Sequence, residues 1–161
     1  MKMLCIISLI GTICWANTAN AEVSAFGITS NMERSDLTIV KKTENANQFM
    51  VAVPEPDNAF TAYSVVTSSQ GGLCSVIGVR IKQDSAADSV VILDTMARSL
   101  VREFGTPDRD GDSETVWSKK GGFYRIKLSR MRDDYVPLVG TTYVILLNYS
   151  FVNPDSVQCR P

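Results

Sequence analysis

"DSAADSVVILDTMARSLVREFGTP", Asp84 to Pro107, is the stretch on which the fold turns. Val90, Leu93, Met96, Ala97, Leu100 and Phe104 recur every three or four residues, which is one apolar stripe on a helix. Ser85 with Asp88 three residues on makes a capping pair, Asp standing in for the usual Glu. Gly105 supplies the left-handed residue that ends a helix, and Pro107 forbids its continuation. The spacing therefore predicts one long helix over about 85–104, with its stripe turned to a core.

Strands flank it on both sides. Upstream, "FTAYSVVTS" (60–68) is β-branched and aromatic, and a Ser-Gln-Gly-Gly turn leads into "LCSVIGVRIK" (73–82), which reads as a hairpin. Earlier still, "QFMVAVPEP" (48–56) reads as a strand ended by Pro54 and Pro56, and a short helix is expected near Asn31 to Leu37. Downstream, "TVW" (115–117) passes through Lys-Lys-Gly-Gly into "FYRIKLSR" (123–130). There Tyr124, Ile126 and Leu128 alternate with Arg125, Lys127 and Ser129, giving one buried and one wet face. "TYVILLNYSF" (142–151) is almost continuously apolar and reads as a central strand, although it contains the sequon Asn148-Tyr149-Ser150. The fold class expected is α+β: an antiparallel sheet of about five to six strands with one long helix packed on one face. Phe-Gly at 26–27 and again at 104–105, each followed by a polar stretch and a strand, suggests a degenerate αβ repeat.

The N-terminus bounds the compartment. "MKMLCIISLIGTICWANTANA" has one basic residue, an apolar run from Leu4 to Trp15 and a small-x-small close at Ala19-Asn20-Ala21. That is the pattern of a secretory signal cleaved after Ala21, and the run is short of the ~20 residues a spanning helix needs. Ile13 before Cys14 does not make a lipobox. Removal of 21 of 161 residues leaves a single domain at 22–161 and shifts the net charge from −1 to −2 as Lys2 is lost. Near-neutral charge argues against nucleic acid as a partner, and no later segment reaches transmembrane length. Cys5 and Cys14 leave with the signal. Cys74 and Cys159 remain, and in an exported chain they are expected to form a disulfide contributing ~4 kcal/mol on the chain-entropy model.

Chemistry is narrowed by what is missing. The chain has no His, which excludes Ser-His-Asp and Cys-His systems and His-ligated zinc in their usual form. Walker A, G-x-S-x-G and dinucleotide fingerprints are absent as well. The conspicuous polar feature is "FGTPDRDGDSETVW" (104–117), in which Asp108, Asp110, Asp112 and Glu114 fall at every second position. A calcium loop of the EF-hand type needs its Gly two places later, where Ser113 stands, and a Glu at position 12, where Lys119 stands. A glycosidase pair needs two acids facing a cleft, which acids of a single turn rarely do. The stretch reads as a turn, because Asp and Gly tolerate its backbone angles. No cofactor or metal is expected. Lys119, Lys120, Arg125, Lys127, Arg130 and Arg132 form a basic run with no acid among them, and Arg125 with Lys127 marks an expected partner-binding face.

"AFGIT" (25–29), "PEPDNAFTAY" (54–63), "GLC" (72–74) and the acidic stretch at 104–117 resemble a group of small exported bacterial proteins of unassigned activity. The helix-then-strands order also resembles the small α+β modules of the outer-membrane assembly lipoprotein and β-lactamase-inhibitor type. That resemblance implies a protein-binding role and carries no catalytic residue with it. The function expected is a non-catalytic binding or structural protein of the cell envelope, periplasmic or extracellular, such as an inhibitor or immunity-type factor. Its partner is an unknown protein or anionic envelope component. A histidine-free carboxylate hydrolase and a calcium-stabilised structural module are the alternatives.

Overall fold

The computed structural model describes residues 22–82, 85–133, 142–156 and 159; the expected signal at 1–21 and its cleavage site after Ala21 lie outside the described residues. The chain opens with a two-strand hairpin, β1 (Ser24–Ala25) and β2 (Ile28–Thr29), and then makes a single 3-10 turn at Arg34–Asp36. β3 (Thr38–Lys42), β4 (Gln48–Ala52), β5 (Ala62–Thr67) and β6 (Leu73–Lys82) follow as a meander. α1 (Ala86–Phe104) crosses to β7 (Arg109–Asp110), β8 (Glu114–Ser118), β9 (Arg125–Asp133) and β10 (Thr142–Ser150). Eight strands form one antiparallel sheet in the order β3-β4-β5-β6-β10-β9-β8-β7.

The molecule is mostly sheet, and this corrects the α+β expectation of five to six strands. β1 and β2 form a separate two-stranded sheet, and the two strands added to the main sheet lie at its edges. All five residues of β3 are exposed, so they lack the alternation that marks a half-buried strand, and the expected helix at 31–37 shrinks to the 3-10 turn before it. β7 is two charged residues folded back inside the acidic stretch. The expected hairpin at 60–82 and the central strand at 142–151 are present, β10 lying between β6 and β9. The αβ repeat is overturned as well. Phe26-Gly27 is the two-residue turn between β1 and β2, with φ of 55° and 76°, whereas Phe104-Gly105 ends a helix. Both loop residues of the first pair need positive φ, as in a type I′ hairpin turn. A Cβ on Gly27 would also meet Pro54 at 2.9 Å.

Register separates the two faces of the sheet, because directly paired residues point the same way. One face carries Phe49, Val65, Val76, Ile126, Leu128, Ile145 and Leu147, all buried. The β1–β2 hairpin and α1 both pack on it. Phe26 places its ring within 4.9–5.6 Å of Phe60, Tyr63 and Tyr149, so "AFG" and "PEPDNAFTAY" converge on one aromatic cluster. Tyr63 anchors the second piece: its hydroxyl accepts from the Asp57 N–H (2.6 Å) and donates to the Asp57 carbonyl (2.8 Å).

The helix is clamped at both ends. At its start Ser85 Oγ accepts from the Asp88 N–H, and the Asp88 carboxylate takes the Ser85 hydroxyl rather than a backbone donor. Arg130, on β9, reaches under this end to the Ala86 carbonyl and to Ser89 Oγ, and Ser89 is fully buried. At the other end Trp117, fully buried on β8, donates its indole N–H to the Gly105 carbonyl at 2.8 Å. Gly105 holds the positive φ of 79° that favours glycine, but its ψ of −163° is extended rather than the left-handed helical cap expected. Within the predicted stripe Leu93 and Leu100 are buried, but Val90 stands 46 % exposed and belongs to the surface.

Cys74 and Cys159 form the expected disulfide, with Cα atoms 5.8 Å apart across 85 residues. It ties β6 to the C-terminal tail. The tail also reaches β9 through an Arg125–Asp155 ion pair of 3.1 Å.

Candidate functional site: a groove beside the acidic turn

The acidic stretch is a hairpin turn hung on the sheet edge. Asp108 donates its N–H to the Val116 carbonyl, β7 pairs with β8, and the Glu114 N–H closes the turn on the Gly111 carbonyl. The carboxylates mostly serve this local structure. Asp108 accepts from the Ser118 N–H, and Asp110 accepts from Thr115 Oγ1 at 2.9 Å. Glu114 lies between Arg109 (2.7 Å) and Lys127, both in ion-pair contact. Asp112 is exposed on the groove described below. Among the described residues, no three acidic or cysteine side chains gather closely enough to hold a metal ion.

The Lys127 ammonium on Glu114 holds its carboxyl below the usual carboxylate range; partial burial opposes this, and Arg109 and Arg125 reinforce it. A depressed folded pKa adds stability that is fully present above the unfolded value and is lost as pH falls through the folded one. Acid unfolding of Glu114→Gln, followed by circular dichroism, should therefore show a shallower loss of stability below about pH 4.5. The effect at neutral pH should be small, because the pair is partly solvated. An unchanged acid limb would remove Glu114 from the set of groups that hold this edge.

The turn does not touch solvent alone. It faces the outer side of α1 across a groove of about 350 Å³. Val90, Leu93, Ala97, Val101, Pro107 and Thr115 line it, and Asp94, Arg98, Asp110 and Asp112 stand around it. Val90 and Val101 are 46 % and 41 % exposed, so the helix contributes an apolar strip to open surface. Asp94 and Arg98 pair at 2.7 Å one helical turn apart, which leaves the acids of the turn as the net charge of the rim. Sequence reasoning missed this groove because Val90 belongs to the same periodic stripe as Leu93.

The basic run is divided by strand alternation. Arg125 and Lys127 share the sheet face opposite α1, as expected, and each meets a carboxylate, Asp155 and Glu114 respectively. Arg130 lies on the helix face and stacks over Tyr143 at 5.4 Å. Asn148 of the sequon lies in β10, opposite Lys127 and Ile77. Among the described residues, no helix is long and apolar enough to cross a membrane. Comparison with protein-family models, curated proteins and solved structures returned no match to this chain.

Proposed function

We propose that the protein is an exported, non-catalytic binding module of the cell envelope, of inhibitor or immunity type. Its groove between α1 and the acidic turn receives a basic, partly apolar segment of a partner protein. The observation that carries this reading is the groove itself, with an apolar strip from α1 and the exposed acids Asp110 and Asp112 at its rim. An amphipathic segment buries its apolar side against Val90, Ala97 and Val101, while its Lys or Arg residues meet the acids. Export is supported by the Cys74–Cys159 disulfide, because such bonds persist in oxidising compartments.

The carboxylate-hydrolase reading has one observation behind it, since Asp94 of α1 and Asp110 of the turn face the same groove. Both are exposed, Asp94 is paired with Arg98 and Asp110 is bonded to Thr115. A general acid works from a water-excluded site, and neither side chain stands in one.

A photo-crosslinking residue at Val101, compared with one at Met131 on the far sheet face, tests the proposal in envelope extracts. Adducts from Val101 should map to a Lys- or Arg-containing apolar segment, and Asp110→Lys with Asp112→Lys should abolish them. Adducts formed only from Met131, or adducts indifferent to the charge reversal, would refute groove binding.

A further inference from the structure

The two edges of the main sheet carry opposite charge. β3, at one end of the strand order, exposes all five of its residues. Its register with β4 skips Val40, which stands 69 % exposed beside the partly exposed Ile39. Lys41 and Lys42 follow, and among the described residues neither is in an ion pair. Glu44 in the turn beyond is the one acid of the β3–β4 hairpin, so its tip keeps a net positive charge. β7, at the other end of the order, lies in the acidic turn beside the groove, where Asp110 is bonded to Thr115 and Asp112 is exposed.

We propose that β3 of one copy seats in the groove of the next, so that copies associate head to tail. The inference rests on the groove reading above: the basic, partly apolar segment that reading calls for is present on the chain itself, as Ile39-Val40-Lys41-Lys42. The chemistry matches, because Ile39 and Val40 meet the strip from Val90 to Val101 while the lysines meet Asp110 and Asp112. The length matches too. Val90 and Val101 lie eleven residues apart on α1, a rise of ~16 Å, and a five-residue strand covers ~16 Å. Like edges are mismatched: β3 against β3 sets lysine near lysine, and β7 against β7 sets acid near acid. The two ends cannot meet within one chain, since eight strands at ~4.8 Å put β3 and β7 roughly 34 Å apart across the sheet. Each copy therefore brings one strand and one groove, and a heterologous contact of this kind builds rings or open chains rather than a closed two-fold dimer.

Sedimentation velocity of the purified protein, its disulfide intact, should show mass rising beyond two chains between ~10 µM and ~1 mM, and the rise should shrink in about 0.5 M sodium chloride. Two variants then separate the ends. Val40→Ser with Lys41→Ser and Lys42→Ser disables the strand, and Val101→Lys with Asp112→Lys disables the groove; all five side chains are exposed. Each variant alone should sediment as a single chain. Their equimolar mixture should give a two-chain species and nothing larger, because one variant keeps only its groove and the other only its strand. A photo-crosslinking residue at Val101 of the otherwise unmutated protein should join residues 38–42 of another copy, a readout that needs neither variant to fold. A single-chain mass across the whole range overturns head-to-tail docking, as do Val101 adducts elsewhere in a second copy, assembly that survives in either variant alone, or folded variants that fail to combine. Those results leave the groove reading to its adducts in envelope extracts, whereas Val101 adducts missing from both preparations sink that reading as well.

Discussion

Trp117→Ala is expected to lower the melting temperature by about 10–20 °C, corresponding to ~3–5 kcal/mol of lost stability. Trp117 is the largest fully buried side chain and sits on β8 under the end of α1. Truncation removes its apolar contacts and leaves a cavity, both of which cost free energy in a close-packed interior. It also leaves the Gly105 carbonyl without the indole N–H that holds the helix end to the sheet. Trp117→Phe separates the two contributions, because it keeps most of the ring while deleting the donor. Chemical denaturation should place Trp117→Phe between the parent and Trp117→Ala. Equal loss in both variants would mean that the hydrogen bond rather than the packing dominates.

Reduction, or Cys74→Ser with Cys159→Ser, should be the second large perturbation. Closing a loop of 85 residues restricts the unfolded chain by ~4.5 kcal/mol on the chain-entropy model, and measured losses for native bridges run from ~2 to 5 kcal/mol. The tail should be released first. Beyond Phe151, whose N–H donates to the Cys74 carbonyl and whose ring meets Phe123, the tail is tied to β9 by the Arg125–Asp155 pair, which is largely exposed on the Asp155 side and weak accordingly. Hydrogen exchange should therefore rise at 152–156 before it rises in β6 or β10. Unaltered thermal stability on reduction would show that the bridge is incidental to the fold.

Much of this architecture was legible. The helix, its Gly105 stop, the β5–β6 hairpin, the alternation of β9 and the central place of β10 all follow from local pattern, because each buries a periodic face. The disulfide followed from counting cysteines. The two edge strands were not legible, since β3 buries nothing and β7 is held only by pairing with β8. Arg130 was grouped with the surface cations, although its alternation with Arg125 and Lys127 already places it on the helix side. The acidic stretch read correctly as a turn. Its second role, as one wall of a groove, depends on how α1 lies against β8 and β9, and no local pattern carries that information.

Calcium titration of the melting temperature tests most directly whether the acidic turn is architecture rather than a cation site. Asp108, Asp110 and Glu114 are already engaged by Ser118, Thr115, Arg109 and Lys127, so the transition should stay in place across micromolar calcium. A ligand at a hundredfold its dissociation constant would add ~2.7 kcal/mol and raise the midpoint by several degrees. A rise of that size, abolished by Asp110→Asn, would contradict the structural reading of the turn and make it a calcium site.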